Sequence, residues 1–357
     1  MILREKEKQE ILSKAAQMYE FDIKIAREVP GHEGGRNLVY IIGSDAVLRV
    51  STLSDRKLDD YEAEIEYIHY LSEGGAPVAD SIPSKNGKHI EIINNTVVSL
   101  FEVAKGEQIA EHGYQYLEGV PIEEYFFNTG KVLGKIHALS RKYRPQTKRF
   151  DFFDKYNKTY LETLIPDDFI CMQEVMGRQI KDSLFEILER LQELKKSPDN
   201  YGMVHFDYSD GNYNIDYDTG EINVFDFDNC RTCWYLFDLA NLWSHGLGWI
   251  AWNSDLNARR EYMYKYMNTV LAGYRTECEI SDTELENLKL MVNTVLLENI
   301  IDDFEVKRSN NEALIFDEEQ SYNVKCLVEK ASWFGFYSNF YNAESPFEVE
   351  IEIPISE

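Results

Sequence analysis

The sequence predicts an α+β protein of two lobes, a small N-terminal lobe built on an antiparallel sheet and a larger, mostly helical C-terminal lobe. Three observations predict it. Strand-like segments concentrate before residue 101, and apolar residues at helical spacing dominate after it. Between the two regions, Val97-Val-Ser-Leu-Phe-Glu-Val-Ala-Lys-Gly106 runs apolar and then stops at a glycine, as a last strand passing into a hinge should. The expected division is 1–101 for the first lobe, 102–106 for the hinge, 107–345 for the second lobe and 346–357 for a loose acidic tail.

Taken in order, Glu5 to Tyr19 carries Ile11, Leu12, Ala15, Ala16 and Met18 at helical spacing, Ile23 to Val29 reads as a strand, and Pro30-Gly-His-Glu-Gly-Gly35 breaks it. Arg36 to Ile42 and Ala46 to Val50 read as strands about the turn Gly43-Ser-Asp45. Asp59 to Ser72 is an amphipathic helix with Ile65, Ile68 and Leu71 inward, followed by a loop from Pro77 to Pro83. Lys85-Asn-Gly-Lys88 predicts an Asn-Gly hairpin turn, with one strand ending in Ile92 and another beginning near Val97. In the second region helices are expected over Ile122 to Ser140, Cys171 to Lys195, Tyr262 to Tyr274, Asp282 to Lys307 and Asn323 to Tyr341.

Composition narrows the function. The 357 residues are 44% hydrophobic and 13% aromatic, which suits large folded cores. Lys and Arg total 37 against 63 Asp and Glu, a formal charge of −26 that argues against nucleic acid or an anionic membrane as partner and is compatible with a cationic small molecule. Five scattered cysteines form no disulfide framework, and Cys230-Arg-Thr-Cys233 lacks the second pair a zinc site needs, so free thiols in a reducing compartment are expected. The charged N-terminus lacks the apolar centre of a signal peptide, and no run of eighteen apolar residues occurs. A cytoplasmic protein is the expectation.

The chemistry concentrates in Met203-Val-His-Phe-Asp-Tyr-Ser-Asp-Gly-Asn-Tyr-Asn-Ile-Asp216 and the following Val224-Phe-Asp-Phe-Asp228. The first stretch spells H-x-D-x-x-x-x-N with His205, Asp207 and Asn212 on a polar loop. Tyr213 to Ile215 and Ile222 to Val224 alternate as strands about the turn Asp218-Thr219-Gly220. Such a hairpin is expected to bring Asp207 and Asn212 at one end close to Asp226 at the other, three oxygen-bearing side chains converging on one point. Phosphoryl transfer needs a carboxylate to take or orient a hydroxyl proton, and hard oxygen ligands for a Mg²⁺ that bridges nucleotide phosphates. Asp207 is the candidate base, and Asn212 and Asp226 are the candidate metal ligands.

Protein kinases share this order, with H-R-D-x-x-x-x-N and then D-F-G. Phe206 and the second motif Asp226-Phe-Asp228 resemble more closely the aminoglycoside phosphotransferase and choline kinase-like superfamily, with its H-G-D-x-x-x-x-N and I-D-F-D motifs. Phe206 departs from the usual glycine. The resemblance runs from about Val29 to Tyr274 and implies a two-lobe, protein-kinase-like fold. By the same resemblance Gly34 and Gly35 belong to a loop over the nucleotide. Arg49 stands where kinases place the lysine that contacts the α- and β-phosphates, and Glu64 is its partner, with Glu62 and Glu66 as rivals on the same helix. Phe101, Glu102 and Val103 form the hinge segment against which adenine stacks, and Asp238 braces the catalytic loop, an ordinary helix cap being the competing reading.

The expected reaction is Mg²⁺-dependent transfer of the γ-phosphoryl group of ATP or GTP to a hydroxyl of a small, possibly cationic molecule. An aminoglycoside is favoured, with choline, homoserine or a sugar as alternatives. A catalytically silent nucleotide-binding module and a metal hydrolase built on His205, Asp207 and Asp226 are the readings from other classes. His137 reads as a packing residue. The aromatic stretch Leu242 to Trp252 suits a substrate cleft or a helix junction equally, and Glu298, Asp302, Asp303 and Glu305 suit a solvated face or a cation site.

Overall fold

A computed structural model describes residues 3–30, 36–54, 56–171, 175–253 and 255–330. The chain begins with helix α1 (Glu5–Tyr19) and strands β1 (Ala26–Glu28), β2 (Leu38–Ile42) and β3 (Ala46–Thr52). Helix α2 (Leu58–Glu73) follows, then β4 (Ser81–Ile82), β5 (Glu91–Ile93) and β6 (Thr96–Glu102). These strands form one antiparallel sheet in the order β1-β2-β3-β6-β4, with β5 also on β6. Period-2 patterning explains its core: Ile11, Leu12 and Ala15 of α1 cluster with Tyr40, Ile42, Leu48, Val50, Val98 and Leu100 on one sheet face.

The remaining elements are α3 (Ile122–Ser140), α4 (Phe152–Lys155), α5 (Lys158–Leu164), β7 (Ile170–Cys171), β8 (Val175–Met176), α6 (Gly177–Glu193), β9 (Tyr201–Val204), β10 (Tyr213–Ile215), β11 (Ile222–Val224), β12 (Arg231–Trp234), α7 (Leu236–Gly246), α8 (Leu256–Arg275), α9 (Asp282–Leu285), α10 (Leu288–Ser309) and α11 (Glu318–Val328). The chain forms two compact units interleaved in sequence. The first takes in Met1–Leu117, Tyr143–Phe150 and Asn212–Asn229, and the second takes in Glu118–Lys142, Asp151–Gly211 and Cys230–Glu357.

In the second unit α3 and α8 cross so closely that side chains are excluded. A Cβ at Gly130 would lie 1.9 Å from the Val270 carbonyl oxygen, and one at Gly273 would lie 1.9 Å from that of Phe127. Helix α7 is buried along nearly its whole length, and the α10 residues from Leu288 to Phe304 supply much of the unit's core. No helix among the described residues is long and apolar enough to cross a membrane.

Local competition moved several expected boundaries. Ile23–Ile25 is a 3₁₀ turn, because the Asp22 carboxylate accepts the Lys24 N–H, and the strand starts only at Ala26. Within the expected Pro77 to Pro83 loop, Ser81 and Ile82 pair with β6. Ser84 to Lys88 is a turn, but the tight hairpin connection lies between β5 and β6 at Asn94 and Asn95, both left-handed (φ 50° and 63°), a conformation asparagine tolerates. Helix α6 begins at Gly177 instead of Cys171, since Gln179 caps the Met176 N–H while Ile170–Cys171 pairs with Val175–Met176. Ser281 and Asp317 cap the starts of α9 and α11, and the expected 282–307 helix is divided between Leu285 and Leu288 into α9 and α10. Residues 331–341, the 346–357 tail, and Gly34 and Gly35 lie outside the described residues.

Candidate active site

The first unit contains a cavity of about 510 Å³. Its apolar lining comes from β2 and β3 through Val39, Ile41 and Val47, and from Ala79, Phe101 and Phe225; Glu102, Val103 and Ala104 complete one side. β-strand alternation explains the selection, since Val47 and Arg49 face the same way and lie opposite Phe101 and Ser99 in the β3–β6 register.

Arg49 and Glu64 line the same cavity and form a buried ion pair, Nη1 to Oε1 2.7 Å, with Glu64 fully buried. The helical period separates the rival glutamates: Glu62 is exposed, while the Glu66 carboxylate accepts the backbone N–H groups of Gln146 and Thr147. The Arg49 guanidinium also stacks over Phe101, 4.8 Å from the ring centroid. Burial alone would lower the Arg49 pKa, but Glu64, Asp228 and Asp226 raise it overall, so the side chain is permanently charged.

The hairpin β10–β11 pairs Tyr213 with Val224 and Ile215 with Ile222. At its open end the Phe225 N–H donates to the Asn212 carbonyl (2.9 Å), which sets Asn212 across from the residue before Asp226. Asp226 adopts φ +61°, a left-handed backbone that aims its carboxylate into the cavity lining. That carboxylate is open to the cavity yet enclosed by protein atoms on its other sides; this enclosure, with Asp228 and Glu64 nearby, raises its pKa against the pull of Arg49. Asp228 is opposite in character. Burial would raise it, but Arg36, Arg56, Arg49 and Arg149 hold it below the usual carboxylate range, and Asn37 donates to its Oδ2 at 3.0 Å.

Sequence reading missed Asn37, Asn214 and Arg149. Asn214 donates to the carbonyls of Ala104 (2.9 Å) and Gly106 (3.1 Å), tying the hairpin to the segment after β6. Gly106 is required there, because at φ +88° a Cβ would meet the Ile215 carbonyl oxygen at 1.8 Å. The spacing of Asn214, two residues after Asn212 on a strand, would have put both on one face.

Asp207 belongs to the second unit, half-buried, with its N–H donating to His205 Nδ1 at 3.3 Å. Its loop is held from beneath. The Asp238 carboxylate, inside α7 and not at a cap position, accepts the backbone N–H groups of His205 (2.9 Å) and Phe206 (2.8 Å), and Asn241 donates to the Phe206 carbonyl (2.9 Å). His137 Nε2 lies 3.1 Å from Asp238, and the Tyr274 hydroxyl lies 3.0 Å from Nδ1. Burial lowers the His137 pKa, against the opposing pull of Asp238.

Phe206 shows why glycine is usual at its position: it is left-handed, φ +72°. Packing over-determines the conformation, for its ring stacks on Phe237 (4.1 Å, 7°) beneath the Arg231 guanidinium at 3.7 Å. Phe206→Ala removes the ring at about 3–5 kcal/mol and keeps the strain. Phe206→Gly loses the same ring but recovers about 1–2 kcal/mol of backbone strain. The glycine variant is therefore expected to be the more stable of the two by about 1 kcal/mol, the reverse of their usual order. Urea unfolding of both variants checks this; an alanine variant as stable as the glycine one would contradict it.

Elsewhere in the second unit, Trp249 packs on Tyr125 and Phe126, which favours the junction reading for this part of the aromatic stretch, while Trp252 is 78% exposed. Glu305 pairs with Lys155 and Tyr160, Glu298 accepts from Tyr156, and Asp303 accepts from Gln320. All five cysteines are buried and none is in a disulfide among the described residues.

Among the described residues no three His, Cys, Asp or Glu side chains gather into a metal cage. Asn212 and Asp226 supply hard oxygen donors too few for a self-sufficient protein site. They suit Mg²⁺, which is commonly held by one or two carboxylates with substrate phosphates and water completing its octahedron.

An antiparallel sheet in the first unit and a mostly helical second unit match the protein-kinase-like fold of solved small-molecule kinases. Residues 28–274 match the APH phosphotransferase enzyme family, and the chain belongs to it. It is 29% identical over 283 residues to the amicoumacin kinase of Bacillus subtilis strain 168, covering 76% of this chain and 77% of that protein. The structure of an amicoumacin kinase in complex with AMP-PNP, Ca²⁺ and Ami superposes with TM-score 0.76 at 24% identity, over 94% of this chain and 96% of the other. A microcompartment-associated aminopropanol kinase superposes with TM-score 0.64 at 18% identity, over 89% and 94%.

Proposed function

We propose that this small-molecule phosphotransferase moves the γ-phosphoryl group of ATP, or of GTP, to a hydroxyl of an amine-bearing acceptor, with Asp207 as general base and Asn212 and Asp226 as ligands of Mg²⁺. The observation that carries the reading is the cavity in which Arg49, Glu64, Asp226 and the hinge segment share one lining. The apolar walls and Phe101 to Val103 suit a purine base. Arg49 offers a fixed fork to phosphate oxygens, and Glu64 keeps that fork pointed. Arg36, Arg56, Arg49 and Arg149 around Asp228 supply cations suited to an anionic donor in a chain of net charge −26. Asn212 and Asp226 would hold Mg²⁺, which would supply electrostatic stabilisation of the charge that develops in phosphoryl transfer. Asp207 would accept the acceptor's hydroxyl proton, and the buried Asp238 brace fixes the backbone from which it projects.

An amine on the acceptor follows from the likeness to an amicoumacin kinase and an aminopropanol kinase, and the overall acidity agrees with it. Aminoglycosides fall in the same class; a neutral sugar is the opposing alternative. The test is a coupled ADP-release assay with amicoumacin, aminopropanol, kanamycin-like aminoglycosides, choline, homoserine and simple sugars at two ionic strengths. Turnover of a cationic acceptor is expected, with KM rising between low and moderate salt, since the Debye length is about 10 Å at 0.1 M. Turnover of a neutral sugar alone, with salt-independent KM, would overturn the amine assignment. Nucleotide binding without turnover of any alcohol would favour the silent module.

A further inference from the structure

The segment between α3 and α4 does not stay with the unit that contains those helices. Tyr143–Phe150 belongs to the first unit, and its described contacts there include α2, the turn Phe227–Asn229 and Arg56, whose guanidinium lies 5.6 Å from the Phe150 ring centroid. The Glu66 carboxylate of α2 accepts the N–H of Gln146 at Oε1 (2.6 Å) and that of Thr147 at Oε2 (2.9 Å). The Tyr143 ring lies 4.9 Å from Tyr70 and 5.3 Å from Tyr67, and Tyr67 packs edge-on against Phe227 at 6.0 Å. Arg149, fully buried, donates to the Asp60 carbonyl in the first turn of α2 and to the Asp228 carbonyl (2.5 Å), and its Nη1 lies 3.8 Å from Glu64 Oε2.

Glu64 needs this neighbour. Its Oε1 is taken by Arg49, while Oε2 makes no hydrogen bond among the described residues, and a fully buried carboxylate is tolerated only with compensating cations around it. One guanidinium therefore touches the start of α2, the glutamate that holds Arg49, and the acidic turn that carries Asp226.

We infer that Arg149 is a positioning residue for the nucleotide site and that Tyr143–Phe150 is a built-in clamp, fixing α2 so that the Arg49–Glu64 pair and the Asp226 turn are assembled before nucleotide arrives. The clamp acts through Glu64 and Asp228 and touches no reactant. It rests on the reading of the cavity as a nucleotide site, so the experiment must separate the two.

Arg149→Met removes the charge and both carbonyl bonds at similar length. Glu66→Ala removes the acceptor of the segment's two amides without leaving a buried charge unpaired. For each variant and the full-length wild type, circular dichroism melting checks folding, calorimetry measures AMP-PNP affinity, and hydrogen exchange reports protection of α2. Both variants are expected to stay folded, to bind AMP-PNP about tenfold more weakly or worse, to lose α2 protection, and to raise KM for nucleotide more than KM for acceptor, because a site loosened by about 1 Å loses its preorganised contacts. Arg149→Lys, which restores charge beside Glu64, is expected to recover part of the affinity. If Arg149→Met does not fold, Glu66→Ala decides. A wild type that binds no AMP-PNP overturns the nucleotide-site reading itself. A wild type that binds it, with folded variants that bind equally well and keep α2 protected, overturns the clamp alone.

Discussion

Asp207→Asn is expected to lower kcat by about 10²–10⁴ while nucleotide affinity changes little, because general-base help is typically of that size and the amide cannot take the proton. The substitution is nearly isosteric and leaves the loop supported as before, since that support comes from Asp238 through the backbone N–H groups of His205 and Phe206 and from Asn241 at the Phe206 carbonyl. Loss of turnover would therefore report chemistry and not collapse of the loop. The check is steady-state kinetics against the best acceptor, together with calorimetric AMP-PNP binding. Turnover within a few-fold of wild type would remove Asp207 from the mechanism.

Asp226→Ala is expected to abolish Mg²⁺-dependent strengthening of nucleotide binding and with it activity. Asp226 offers a charged oxygen donor in the cavity lining, and Asn212, across the hairpin, offers only a neutral one. Alanine at φ +61° also adds backbone strain, so Asp226→Asn is the necessary companion, because asparagine tolerates the left-handed region and keeps the side chain's size. Both variants should show nucleotide affinity that no longer responds to added Mg²⁺. Titration showing an unchanged response in either folded variant would remove Asp226 as a metal ligand.

Some of this architecture is local in origin, and those parts were legible. The hairpin from Tyr213 to Val224 is set by period-2 alternation about Asp218-Thr219-Gly220, so its pairing of Asn212 with the approach to Asp226 follows from neighbouring residues alone. The α3 helix is set by apolar spacing in the same way and occupies the residues expected of it. Where two local forces competed, boundaries moved, as when Asp22 drew Lys24 into a 3₁₀ turn at the head of β1.

What the sequence by itself determined, then, is the order and spacing of chemistry-bearing residues, since turns, caps and periodicity act over a few positions. The tertiary structure decided which face of α2 meets Arg49: the helical period sets Glu64 apart from Glu62 and Glu66, and packing turns Glu64 inward, leaves Glu62 exposed and gives Glu66 to the Gln146 and Thr147 amides. It alone gave the packing residue His137, fully buried against Tyr235 and Tyr274, a polar partner in Asp238, through a contact spanning about a hundred residues of chain. It alone brought Arg149 to Glu64 and Asp228, by a return of the chain into the first unit that no local pattern announces. The reason is common to all three: a hydrogen bond or ion pair between distant segments depends on where the folded backbone places them, and side-chain identity carries no record of that distance.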